Sequence, residues 1–338
     1  MNRSSCRFGG IRVGKSSFVL PLLATLLAPS LALADLFVVD NGSAVDRFDS
    51  STGAVIPTQG NSTFATMDNA TGVTVGPDGL VYVGGFDPTT NAVVNRFNAS
   101  SGQQVGGPFI SYQNGPSQLS NVQGLQFGPD GNLYAADLGD NGPLKVFDSS
   151  GTWVKDYEPS GGNAQAVAFD PALPDDVFVA TGSTIESFDL TTGANHVVVQ
   201  GDSNTFSDGA DLAFSPGGKL YVLDTSAAAP QLLSFNADGT GQTLVSTFAD
   251  AGNPNSAFVP TDMAFGPDGN LYVSGNDYAS LNPDGGEILK LSPNGSNLSV
   301  FVSSLTAPGF LAFNNVPEPV VAPLLAFTAL MLRRRKRN

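Results

Sequence analysis

The sequence predicts an all-β chain, a closed ring of six sheets with four antiparallel strands in each. Three observations predict it: a unit that recurs along most of the sequence, a Gly-Pro-Asp-Gly turn at a fixed place in that unit, and half-units at the two ends of the repetitive body that complete one another. The unit reads Gly72-Val-Thr-Val-Gly-Pro-Asp-Gly-Leu-Val-Tyr-Val83, Gly124-Leu-Gln-Phe-Gly-Pro-Asp-Gly-Asn-Leu-Tyr-Ala135 and Asp262-Met-Ala-Phe-Gly-Pro-Asp-Gly-Asn-Leu-Tyr-Val273. Asp211 to Val222 keeps the pattern with a changed turn, and Ala166-Val-Ala-Phe-Asp-Pro reaches Asp176-Val-Phe-Val179 through a longer one. The last apolar residue before each turn is Val75, Phe127, Phe169, Phe214 and Phe265, at spacings of 52, 42, 45 and 51. Repeats of this length match the blades of a β-propeller.

Each element of the unit has a physical reading. The turn joins a first and a second strand: proline presets φ at the second turn position, and the closing glycine takes the left-handed conformation of a bulged hairpin. Third strands follow at Val45–Phe48, Val94–Phe97, Leu144–Phe147, Ile185–Phe188, Leu232–Phe235 and Ile288–Leu291. A turn rich in Ser, Thr, Asn and Gly then leads to a fourth strand, as at Thr152–Tyr157, His196–Gln200, Gln242–Phe248 and Leu298–Val302. Leu36–Val39 is a second strand with no first before it, and Gly309–Phe313 is a first strand with no second after it. Pairing the two completes the sixth blade and protects edges that would otherwise invite aggregation.

The flanks of the body are expected to be addresses. Residues 1–34 read as a signal peptide: Arg3, Arg7, Arg12 and Lys15 without an acid, an apolar core from Phe18 to Pro29, and Ala32-Leu33-Ala34 as the cleavage site, after Ala34. The body then runs from Asp35 to Asn315. At the other end stand Pro317-Glu318-Pro319, the apolar run Val320–Leu332, and Arg333, Arg334, Arg335, Lys336 and Arg337. As a helix the 13-residue run covers about 20 Å, short of the roughly 30 Å apolar layer of a bilayer, so flanking residues would have to assist a short membrane helix. Residues 316–338 resemble the PEP-CTERM sorting signal of Gram-negative bacteria. The resemblance implies transient anchoring in the inner membrane, recognition by an exosortase-type transpeptidase, and delivery to a cell surface or matrix associated with exopolysaccharide.

Without its flanks the body is strongly acidic. Of 15 basic and 30 acidic residues, the signal removes four basic ones and the tail five basic plus Glu318, leaving 6 against 29, a net charge near −23. Such a body repels nucleic acid and anionic surfaces and attracts cations. Cys6, the sole cysteine, lies in the signal, so the body has neither disulfide nor thiolate chemistry.

The repeat from Asp35 to Asn315 resembles six-bladed propellers of the NHL-repeat and gluconolactonase-like type. In gluconolactonases, the resemblance implies, a carboxylate or amide four residues before the marker residue of several first strands holds a catalytic divalent metal. Here those positions are Thr71, Gln123, Gln165, Ala210, Thr261 and Gly309, none a carboxylate. Asp211 and Asp262 stand one residue later and are the channel candidates for a Ca²⁺ site, the alternative being that they bond backbone amides. Gln123 and Gln165 are kept as candidates for the ligand-binding face. So are Asp40, Asp137 and Asp224, which end second strands, with Asp140, Asp202, Asp208, Asp250 and Asp277 in nearby loops. Their preferred reading is as acceptors for turn amides.

Other chemistries lack residues. His196, the single histidine, falls in an outer strand, so neither a nucleophilic triad nor a zinc site can be assembled in the usual way. Gly209–Gly218 precedes no helix and is not a phosphate loop. Tyr82, Tyr134, Tyr221 and Tyr272 hold repeat positions and read as blade packing rather than sugar platforms, a role Trp153 shares with them as an alternative. Two readings of function follow: a non-catalytic envelope or matrix propeller binding a polysaccharide, cation or partner protein, which is preferred, and a divalent-metal-dependent, lactonase-like hydrolase.

Overall fold

The computed structural model describes residues 34–314 apart from 90, 112–117, 140–141, 203–205, 207–208, 226–229, 249–257 and 278–284. The signal segment up to residue 33 and the tail from 315 onward lie outside the described residues. No helix among the described residues is long and apolar enough to cross a membrane.

Among the described residues, twenty-three strands form six sheets. In blade 1 the last strand of the chain, β23 (Pro308–Phe313), pairs with β1 (Asp35–Asp40), followed by β2 (Ala44–Asp49) and β3 (Thr63–Thr66). Blade 2 holds β4 (Asp68–Val75), β5 (Leu80–Phe86) and β6 (Ala92–Asn98). Blade 3 is β7 (Val122–Phe127), β8 (Leu133–Asp137), β9 (Leu144–Phe147) and β10 (Trp153–Tyr157). Blade 4 is β11 (Ala166–Phe169), β12 (Asp176–Ala180), β13 (Thr184–Asp189) and β14 (Asn195–Gln200). Blade 5 is β15 (Gly209–Phe214), β16 (Lys219–Asp224), β17 (Gln231–Asn236) and β18 (Thr243–Thr247). Blade 6 is β19 (Phe258–Phe265), β20 (Leu271–Asp277), β21 (Gly286–Leu291) and β22 (Ser299–Leu305).

The first strands neighbour one another in the cycle β4, β7, β11, β15, β19, β23 and back to β4, so the ring is closed. The expected composite blade forms, with Leu36 opposite Phe313 and Val38 opposite Leu311 in antiparallel register. One expected strand is corrected. Blade 2 is three-stranded, and its fourth strand shrinks to the isolated bridges Val94–Ile110 and Phe97–Gln104. Between them lie Gly106, Gly107 and Pro108; proline offers no N–H and the glycines weaken an extended run.

The apolar core is divided among the six seams between blades. The second-strand aromatic of each blade packs edge-on against the first-strand aromatic of the next, which explains the repeat. Ring centroids are 4.8 Å apart for Tyr82–Phe127, 5.0 Å for Tyr134–Phe169, 4.8 Å for Phe178–Phe214, 5.1 Å for Tyr221–Phe265 and 4.9 Å for Tyr272–Phe313. Blade 1 places Phe37 against the cluster containing Val75. The hydroxyl is satisfied within the unit: Tyr82 donates to Asp78 at 3.0 Å, Tyr134 to Asp130 at 2.9 Å and Tyr272 to Asp268 at 3.1 Å. Where the turn aspartate becomes Gly217, Tyr221 donates to the Pro293 carbonyl at 2.7 Å instead. In the longer turn of blade 4, Phe178 takes the tyrosine's place. These four tyrosines are structural.

The turns between third and fourth strands lock neighbouring blades. Asp148 accepts from the amides of Ser150 and Thr152 at 2.8 and 3.0 Å, folding the turn back on itself. Gly151 follows at φ 82°, and a methyl group there would collide with the Phe109 carbonyl of blade 2. Gly151→Ala should therefore cost about 1–3 kcal/mol, read as a lower urea midpoint with an unchanged m-value.

Candidate functional site

A cavity of about 520 Å³ occupies the ring axis. Its wall is made by first strands from Gly124, Ala166, Asp211 and Asp262 down to the turn residues Pro171, Pro216 and Pro267. The channel therefore presents strand edges and mostly small or apolar side chains, and among the described residues the charged groups on its wall are Asp211 and Asp262.

The structure brings this pair together and shows why the register is offset by one. Pairing between first and second strands shifts between Gly209 and Asp211, between Pro260 and Asp262, and between Val122 and Gly124. A bulge thus falls on the residue four before the marker, where the extra residue leaves the ladder, and the next residue turns toward the adjoining blade. Asp211 accepts the Met263 amide of blade 6 at 2.8 Å, and Asp262 accepts the Leu311 amide of the closing strand at 2.8 Å. Two consecutive seams are stapled in this way, and the second is the seam that closes the ring.

Both carboxyls are buried. Burial and the neighbouring charge of Asp262 push Asp211 well above the ordinary carboxylate range. Burial also raises Asp262, to about 7, opposed by its bonds from the Leu311 amide and from Asp211. The two carboxyls also interact with each other and titrate as a pair, both raised by their burial. Two carboxyls committed to two amides and to each other fall short of the six to eight oxygens that Ca²⁺ gathers. No three His, Cys, Asp or Glu side chains among the described residues come together to hold a metal.

The remaining candidates do not join this pair. Gln123 and Gln165 are half-buried and sit outside the cavity wall, and a side-chain oxygen of Gln165, like the Thr71 hydroxyl, is buried without a hydrogen-bond partner. Asp40, Asp137 and Asp224 all end second strands and are buried. Asp40 accepts from the amides of Thr306 and Ala307 at 3.0 and 2.7 Å, in the loop entering the first strand of its own blade. Asp137 does the same in blade 3, accepting from Ser120 at 2.9 Å, Asn121 at 2.6 Å and Gly139 at 3.2 Å. Asp137→Ala would strand those amides. It should cost about 3 kcal/mol in urea unfolding, where a residue serving only a ligand would cost nothing. Asp202 is exposed, the side chain of Asp277 is not described, and Asp140, Asp208 and Asp250 lie outside the described residues.

His196 is exposed on β14, as its strand assignment requires. Trp153 donates from Nε1 to Asp156 at 2.8 Å and packs against the seam of blades 2 and 3, so it is not a free platform. Two acids were not singled out in the sequence. Glu186, fully buried on β13, accepts from the amides of Ser160 and Gly161 at 2.9 and 2.7 Å, the Thr184 hydroxyl at 2.7 Å and the Asn195 amide at 2.6 Å. Burial alone would raise its pKa, but these donors hold it below the usual range. Asp46 is raised to about 6 by burial and the nearby charge of Asp40. A lone acid in a strand gave no signal of either environment; only the donors across the seam, or their absence, distinguish them.

No protein-family model matches the sequence, and no curated protein does. Solved structures match in shape. The crystal structure of a nidogen/laminin complex aligns with TM-score 0.62 at 13% identity, over 83% of this chain and 98% of that chain. TolB from Acinetobacter baumannii aligns with TM-score 0.59 at 13% identity, over 83% of this chain and 66% of that one. The class is thereby defined: an all-β, six-bladed propeller. At this identity the likeness is one of fold, and function is argued from the site.

Proposed function

We propose that the chain is an exported, non-catalytic binding propeller of a Gram-negative cell envelope or extracellular matrix, routed by its PEP-CTERM-like tail through an exosortase-type system and associated with exopolysaccharide. One observation carries the non-catalytic reading. The carboxylates best placed for chemistry, Asp211 and Asp262 in the channel and Asp40 and Asp137 at the loop face, are engaged in holding backbone amides. A general base or metal ligand must be free to turn toward substrate or ion, and these carboxyls are held in place by the backbone amides they accept. The fold is compatible with a binding role, since its nidogen neighbour was solved in a complex with laminin.

The test has two arms. The exported protein is incubated with aliphatic and sugar lactones with and without Ca²⁺, and separately sedimented with exopolysaccharide from the producing cells. Co-sedimentation without metal-dependent hydrolysis supports the proposal. Metal-dependent turnover abolished by Asp262→Asn would replace it with the hydrolase reading.

A further inference from the structure

One arc of the rim differs from the rest of the surface. The four most exposed large apolar side chains among the described residues are Leu244 (54%), Val300 (53%), Leu298 (47%) and Val55 (46%). They lie side by side on blades 5, 6 and 1. The turn glycine of blade 6, Gly295, abuts the Val245 carbonyl of β18, and Gly53 of blade 1 abuts the Phe301 carbonyl of β22. Leu244, Leu298, Val300 and Val55 thus follow one another around three neighbouring outer edges.

The three segments that carry these side chains are also without charge in a body near −23. The segments Ser50–Met67, Gly239–Phe248 and Leu291–Asn315 contain no Asp, Glu, Lys or Arg. β18 and β22 are the outermost strands of their sheets and contain no proline, and the turns of the next blades meet their outer edges at Val245 and Phe301. Proteins ordinarily blunt such an edge with a charge or a proline. The edge of blade 3 follows that rule, with Lys155 and Asp156 on β10.

From these observations we infer that the rim over blades 5, 6 and 1 is a self-association surface, and that its occupant is the same arc of a second copy of this chain, paired antiparallel edge to edge along β22. The charge distribution selects a second copy. A basic partner would be drawn to the acidic loops elsewhere, whereas two identical acidic bodies repel each other least where the facing segments carry no charge. A two-fold pairing of β22 with itself about Ser299 places Val300 of each copy against Leu298 of the other, the self-complementary arrangement of an isologous dimer. Raising salt should strengthen it, by screening the repulsion between bodies while leaving the apolar contact intact.

Sedimentation velocity of the full chain over a roughly hundredfold concentration range tests this inference. The expected result is a mass-action shift from monomer to dimer, favoured by added NaCl. Leu244→Lys and Val300→Lys should each weaken association about tenfold or more, whereas Val154→Lys, at a similarly exposed site on blade 3, should leave it unchanged. All three sites face solvent, and matching urea midpoints confirm that the variants fold. Amide exchange of Ser299–Leu305 should slow as concentration rises. A wild-type chain that stays monomeric throughout, or arc variants that associate as tightly as wild type, would overturn the inference.

Discussion

Replacing Tyr272 by alanine should destabilise the ring by about 3–5 kcal/mol, the range for removing a fully buried aromatic side chain. Tyr272 has no exposed surface and wedges between Phe301 and Phe313, with ring centroids 4.9 Å away in both cases. It stands at the seam where the two ends of the body meet, so its loss opens a cavity where β23 is held by blade 6. Tyr272→Phe keeps the wedge and removes only the hydroxyl's bonds to Asp268 and, more weakly, to the Ser50 carbonyl, costing about 1 kcal/mol. Urea unfolding of the two variants checks the difference, and amide exchange in Pro308–Phe313 should quicken more in the alanine variant.

Stability should fall as pH rises from about 4 to 7. Asp262 is raised from an ordinary 3.8 to about 7 in the folded state, with burial as the main cause. In that window the folded chain keeps a proton that the unfolded chain releases, so raising pH favours unfolding. At about 1.4 kcal/mol per pH unit, Asp262 alone accounts for a loss on the order of 4 kcal/mol across the interval, and Asp211 and Asp46, raised in the same direction, add to it. Asp49, Asp148 and Asp189 are shifted the other way, held low by turn hydroxyls and amides. Their contribution is complete above the usual carboxylate pKa and is lost only in more acidic solution, so it does not mask the effect. Asp262→Asn keeps an acceptor for the Leu311 amide and removes the charge; it should flatten the profile and raise the urea midpoint at pH 8 above that of wild type. A midpoint lowered equally at pH 5 and pH 8 would mean that the carboxyl acts by shape alone.

The fold was legible because its signals are local and periodic. Gly-Pro-Asp-Gly specifies its hairpin wherever it occurs, and the complementary half-units at Leu36 and Phe313 foretold the closing strand. What escaped was set by neighbours distant in sequence. The bulges before Asp211 and Asp262 follow from pairing with the second strand, not from the identity of Ala210 or Thr261, so the offset of one residue was visible only as an unexplained mismatch. The missing fourth strand of blade 2 had a local warning in Gly106-Gly107-Pro108. Glu186 had none: its donors come from Ser160 and Gly161 in the loop after β10 and from Thr184 and Asn195 in blade 4.

The pairing of Leu36 with Phe313 joins residues 277 positions apart. A chain made from its N-terminus offers β1 first and supplies β23 last, so the first sheet to emerge is the last to be finished. Until then β1 is an open template flanked by Leu36 and Val38, both without exposed surface in the closed ring. Blades 3 to 6 draw every strand from one continuous stretch and can form as they emerge. The circle itself snaps shut only at the end, when one late strand arrives.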